Sequence, residues 1–179
     1  MKQTPKNDLD TKPKITFNLD PVLINFCRYI FKTPPYQKYI ILNRREDIGK
    51  LIFSHIQSGD FKPERPFIKH PVTFILPIPN ERHGYWLRFR HIFIPIWVEE
   101  KFADAIEYEF KWWVREKFRL GYEEEGWDQK TIISAILRGL NIRNNAINSD
   151  TIKKIDYRNR RKDEQKKFKK LCGDELADI

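Results

Sequence analysis

The chain has 179 residues, 40% hydrophobic and 14% aromatic, with a formal net charge of +9. That mix supports one buried core and excludes wholesale disorder. No apolar run approaches the roughly 18 residues of a membrane-spanning helix, and Cys27 and Cys172 lie at no zinc-site spacing.

Residues 1–14 are polar, contain two prolines, and read as a flexible arm. They lack the apolar core of a secretory leader. A cytoplasmic protein, of a bacterial cell or encoded by a virus, is the expectation. Asp20-Pro21 opens a helix, since Asp suits the cap and Pro the first helical position. It runs to about Lys32 with Val22, Leu23, Phe26, Tyr29 and Ile30 on one side, and Thr33-Pro34-Pro35 stops it.

Residues 39–42 make a short strand or lead into a second helix. Asn43 caps that helix, which passes through Ile48, Leu51, Ile52 and Ile56 and ends at Ser58-Gly59. After a proline-rich loop, residues 72–78 and 85–94 are β-branched and aromatic, with turn-forming residues between them. They predict a hairpin with His91 on its mostly apolar face.

A long helix over about 98–120 follows, closed by Gly121. Its Phe102, Ala103, Ile106, Phe110, Trp113 and Val114 form one apolar arc. The acidic stretch 123–126 marks a boundary. Asp128 caps a helix over about 129–142 with a stripe of Ile132, Ile133, Ile136, Leu137 and Leu140. A turn at 143–145 leads to a last helix capped by Asn148 or Ser149. The predicted class is α+β: an arm (1–14), a body (15–126), a small helical module (127–165) and a tail (166–179).

Charge gives this outline a function class. Residues 129–170 carry thirteen Lys/Arg against four Asp/Glu, a local +9 that equals the whole chain's total. A concentrated positive field releases counterions from phosphates, the main term in non-specific nucleic-acid affinity. Helix, short turn and basic helix resemble the outline of a helix-turn-helix module, which implies a second helix entering the major groove. Ala135 and Gly139 have the module's small-residue spacing, but Ser134 and Arg138 stand at positions that are normally apolar, and the turn is about two residues long for the type.

On the last helix, Lys153, Tyr157, Arg160 and Arg161 lie opposite Ile152 and Ile155, with Lys154 and Arg158 on the flank. Arg143, Asn144, Asn145, Ser149 and Thr151 at the turn and helix start are expected to meet DNA. Lys153, Lys154 and Lys162 suit phosphates. Phe168 and Leu171 project to the side opposite Ile152 and Ile155. The helix is therefore expected to end near 161–164, or else to pack its far end on a partner.

Tyr108, Trp112, Arg115 and Arg119 lie away from the long helix's apolar arc. They are assigned to an interface between subunits, with base stacking and intrachain packing as alternatives. Glu109-Phe110-Lys111 has the ExK spacing of metal-dependent nucleases, whose chemistry needs a strand; the helical period fits better here. No catalytic residue, cofactor or metal site is predicted. The expectation is a non-enzymatic, double-stranded-DNA-binding regulator or accessory factor of a phage or mobile element, forming a homodimer or higher oligomer with no membrane contact. The alternative is a viral structural or assembly protein.

Overall fold

The computed structural model describes residues 12–43, 45–61, 64, 69–76 and 91–172, without the side chains of 166–172. Among these residues, five helices and five short strands make an α+β fold, as the sequence predicts. None of the helices is long and apolar enough to cross a membrane. Two compact units result, Met1–Tyr108 and Glu109–Ile179.

The first unit opens with β1 (Lys14–Asn18), a strand where the sequence reading places the arm and no element after it. Ile15 and Phe17 are buried and alternate with Lys14, Thr16 and Asn18, the period-two pattern of a sheet with one covered face. α1 (Pro21–Ile30) follows at the predicted place, although Asp20 caps it without a side-chain hydrogen bond. It stops earlier than expected. Lys32 takes φ 50°, and the Thr33 amide reaches back to the Arg28 carbonyl at 2.8 Å. This is a Schellman ending built on Lys rather than Gly.

β2 (Ile40–Ile41) and α2 (Asp47–Ser54) come next. Asn43 does not cap α2; its side-chain oxygen accepts from the Arg45 amide at 3.0 Å. Ser58 and Gly59 lie not at a helix end but in β3 (Gln57–Gly59). β4 (Pro71–Ile75) is the centre of a three-stranded sheet, antiparallel to β1 and parallel to β2. β5 (His91–Phe93) pairs antiparallel with β3.

The two described ends of the predicted hairpin therefore belong to different sheets, because each finds a partner elsewhere; its turn and most of its second strand, 77–90, lie outside the described residues. His91 is exposed rather than on a covered face. Phe74 is fully buried at the middle of the unit, with Phe17 edge-on at 5.4 Å and Phe31 at 6.3 Å. Phe102 meets Phe17 at 5.8 Å. It comes from α3 (Ile96–Glu123), which begins in this unit and ends in the next.

The second unit contains the end of α3, then α4 (Gln129–Gly139) and α5 (Ala146–Cys172). Phe110, Val114 and Phe118 of α3, the whole predicted stripe of α4, and Ile152 of α5 are buried. Gly121 does not close α3. It lies inside the helix, and a Cβ there would come within 2.6 Å of Ile132 Cγ1. At Gly121, α3 and α4 come too close for any larger residue to fit without a shift. The helix ends beyond it, at Glu123, and Gly126 in the turn that follows takes φ 62°.

Candidate nucleic-acid interface

The turn between α4 and α5 is built from short polar side chains. Asp128 opens α4 as predicted, its carboxylate accepting from the Thr131 amide at 2.9 Å. Hydrogen bonds from Thr131 hold that carboxyl below its ordinary pKa. α4 ends at Gly139, three residues before the expected limit of about 142, and Asn141 beyond it takes φ 54°; the Ile142 amide returns to the Leu137 carbonyl at 2.8 Å. Asn tolerates this left-handed backbone better than most residues.

Asn145 caps α5, accepting from the Asn148 amide at 2.9 Å. The cap thus lies earlier than Asn148 or Ser149. Asn144 ties the two helices together: its amide donates to Ser134 Oγ at 3.2 Å, and its oxygen accepts from Ser149 Oγ at 2.8 Å. Asn148 donates to the Arg143 carbonyl at 2.8 Å, and Thr151 to the Ile147 carbonyl at 3.0 Å. Of the residues expected to meet DNA at this end, Asn144, Asn145 and Ser149 spend side-chain hydrogen bonds on the turn itself, and Thr151 spends one within α5. Arg143 is exposed.

Ala135 is exposed, and nothing lies within 4 Å of a Cβ placed on Gly139. The small-residue spacing thus marks no close helix contact; that role belongs to Gly121.

α5 has two unlike faces. Ile152 and Asp156 are buried, and Ile155, Asn159 and Asp163 are half-buried. These five recur at three- and four-residue steps and form one inward stripe. Only its first turn and a half is apolar. Beyond that the contacts are polar. Asp156, 3% exposed, accepts from Tyr122 Oη at 3.2 Å and Gln129 Nε2 at 2.7 Å, and Arg160 Nη2 pairs with it at 2.7 Å. Arg160 also lies over the Tyr122 ring, 5.8 Å from its centroid. Burial first, and then the neighbouring Asp156 charge, push the Tyr122 hydroxyl above its usual pKa. Two turns on, Arg115 grips Asp163 at 3.0 Å. Tyr122, Asp156, Arg160, Arg115 and Asp163 line a recess of about 260 Å³ between α3 and α5.

The outward face is different in kind. Lys153, Lys154, Tyr157, Arg158, Arg161 and Lys162 are exposed, and none of these cations pairs with an acid among the described residues. At ~100° per residue Lys154, Tyr157, Arg158 and Arg161 share the half of the helix opposite Ile152 and Asp156, with Lys153 and Lys162 at its two edges. Five of the six residues assigned to the grip from sequence stand there. Arg160 leans to the edge of the buried stripe and is occupied by Asp156, while Lys162 joins the row. Lys130, which the sequence reading passed over, stands with Lys153 on a second recess of about 300 Å³ between α4 and α5. Its signal in the sequence is only a single Lys in the first turn of α4.

The proposed interface residues of α3 separate in the same way. Tyr108 is 73% exposed and Trp112 58%. Arg115 is taken by Asp163, and Arg119 by Glu116 and Glu123 at 2.6 and 3.0 Å. Those two acids raise the Arg119 pKa, and Arg119 in turn lowers that of Glu116. Glu109 and Lys111 lie within α3, so the ExK triplet lacks the strand its chemistry needs. Among the described residues no group of three or more His, Cys, Asp or Glu could hold a metal. α5 continues to Cys172 instead of ending near 161–164; the side chains of Phe168 and Leu171 lie outside the described residues. No family model matches this chain, and neither a curated protein nor a solved structure shows significant similarity to it.

Proposed function

We propose that this chain is a non-enzymatic DNA-binding protein, a transcriptional regulator or accessory factor of a phage or mobile element, and that it grips double-stranded DNA with the outward face of α5. One observation carries the reading. Arg115, Arg119 and Arg160 are each neutralised by an acid, whereas Lys153, Lys154, Arg158, Arg161 and Lys162 share one face with no acid partner among the described residues. Unpaired cations in a row approach phosphates without first breaking ion pairs. From Lys153 to Lys162 the row covers about 14 Å of helix. Phosphate grip has more support than base reading at the turn, because Asn144, Asn145 and Ser149 are occupied there. The helix-turn-helix part of the proposal rests on the order α4, turn, α5.

Anisotropy of a labelled duplex tests the reading. Replacing Lys153, Lys154, Arg158 and Arg161 together by Glu is expected to weaken binding at least about 100-fold at constant salt, with helical circular dichroism unchanged. Affinity equal to that of the unaltered protein overturns it.

The exposed rings of Tyr108 and Trp112 favour a second reading, a viral structural or assembly protein in which aromatics dock on neighbouring subunits. Sedimentation at low salt separates the two: a dimer that shifts short duplexes supports the regulator, and rings or larger assemblies support the structural protein.

A further inference from the structure

We infer that Tyr157 stacks on an unpaired nucleobase, so that the α5 face prefers DNA carrying an extruded or unpaired base over a continuous duplex; this rests on the DNA-binding reading above. Tyr157 is 61% exposed, and the outward residues around it on α5, Lys153, Lys154, Arg158, Arg161 and Lys162, are all charged. A phenol ring in that position contributes little burial to the fold. It stands one turn from Lys153 on one side and one turn from Arg161 on the other, at the four-residue spacing that places side chains over one another.

Beside the ring, Tyr157, Arg160, Arg161 and Glu164 line a recess of about 480 Å³. Their positions, at steps of three, one and three residues, form a continuous patch on one side of α5. The four groups are unlike in chemistry, and each matches a different part of a nucleotide. The ring offers a π face, which any base can cover. Arg161, with no acid partner among the described residues, suits the phosphate. Glu164 repels phosphate but accepts hydrogen bonds, as a base edge with an exocyclic amino group requires.

Arg160 is the fixed member. Its charge is committed to Asp156 at 2.7 Å, and its guanidinium is anchored over Tyr122. It therefore forms a wall of the recess rather than a second phosphate ligand. A continuous duplex presents phosphates and base edges, but its ring faces are stacked within the helix. A ring face becomes available only where a base leaves the stack. A purely phosphate-gripping face has no use for an aromatic at its centre, and Lys or Arg there would add affinity.

The test uses the full chain and two labelled DNAs at one salt concentration: a short duplex, and the same duplex with one unpaired base in a bulge. The protein is expected to bind the bulged DNA about 5- to 150-fold more tightly, the range of one base–aromatic stack. Tyr157→Ala is expected to abolish that preference, weakening the bulged DNA far more than the intact duplex. Tyr157→Trp is expected to retain it, and circular dichroism of each variant reports the fold. Equal binding of both DNAs by the unaltered protein overturns the stacking inference alone. So does a Tyr157→Ala variant that keeps the preference or that weakens both DNAs equally. No binding to either DNA overturns the DNA-binding reading and the inference with it.

Discussion

Asp156 shows how one residue divides a basic helix into a structural face and an outward one. A carboxylate 3% exposed requires partners, because an unpaired buried charge is costly. Tyr122, Gln129 and Arg160 supply them from all three helices of the unit. Asp156→Ala removes the common acceptor and is expected to lower stability by about 3 kcal/mol, the low end for breaking a buried pair, since Arg160 is half-exposed and can turn to water. Arg160→Ala keeps the neutral hydrogen bonds from Tyr122 and Gln129 but leaves the buried Asp156 charge without its counter-ion, and is expected to cost about 3–5 kcal/mol. Urea unfolding of both variants measures the two losses; an Arg160→Ala loss below about 1 kcal/mol contradicts the account. This division could not be read from α5 alone. Asp156 and Asp163 follow Ile152 at helical spacing, but a polar stripe looks like a solvated face until the partners from α3 and α4 are present.

The elements themselves were legible where periodicity and chemistry agreed. α4 is the clearest case. Its cap at Asp128 and its five-residue stripe both stand as the sequence predicts, because a 3.6-residue apolar period tied to an N-cap has few other solutions. Its end was missed through a turn residue. Asn141 adopts a positive φ, and Asn is one of the few residues that does so readily.

β1 was present in the pattern too. Ile15, Phe17 and Leu19 alternate with polar residues, but five residues are too short a window to stand out beside a proline-containing arm. The hairpin shows the opposite limit. Two β-rich runs near one another predict pairing, yet β4 is occupied by β1 and β2, and β5 by β3. Gly121 was read as a stop when it is a contact. Gly121→Ala ordinarily gains up to about 1 kcal/mol of helix propensity. Here the added methyl meets Ile132, itself 2% exposed and unable to swing away. The expected result is a net loss of about 1–3 kcal/mol. Chemical unfolding of G121A, I132A and the double variant should show favourable coupling between the two changes, because Ile132→Ala vacates the space the methyl needs.

Across the whole molecule, charge is distributed in blocks, and blocks imply a salt dependence. If Lys153, Lys154, Arg158, Arg161 and Lys162 each neutralise one phosphate, five contacts at about 0.9 each predict a slope of log affinity against log salt near −4.5. Duplex titrations from low to physiological salt measure it. A slope near zero shows that the row does not meet phosphates, whatever else the chain binds. Arg160 is left out of that total because Asp156 already neutralises it.

By itself the sequence determined the α+β class, the places of the main helices, and the concentration of positive charge on the last of them. These depend on local period, capping chemistry and composition, all carried by neighbours in the chain. Only the tertiary structure decided which strands pair, why Gly121 must be small, and which of α5's arginines is already neutralised. Each of those depends on groups far apart in sequence, and a residue's exposure or ion pair exists only once its distant partner has arrived.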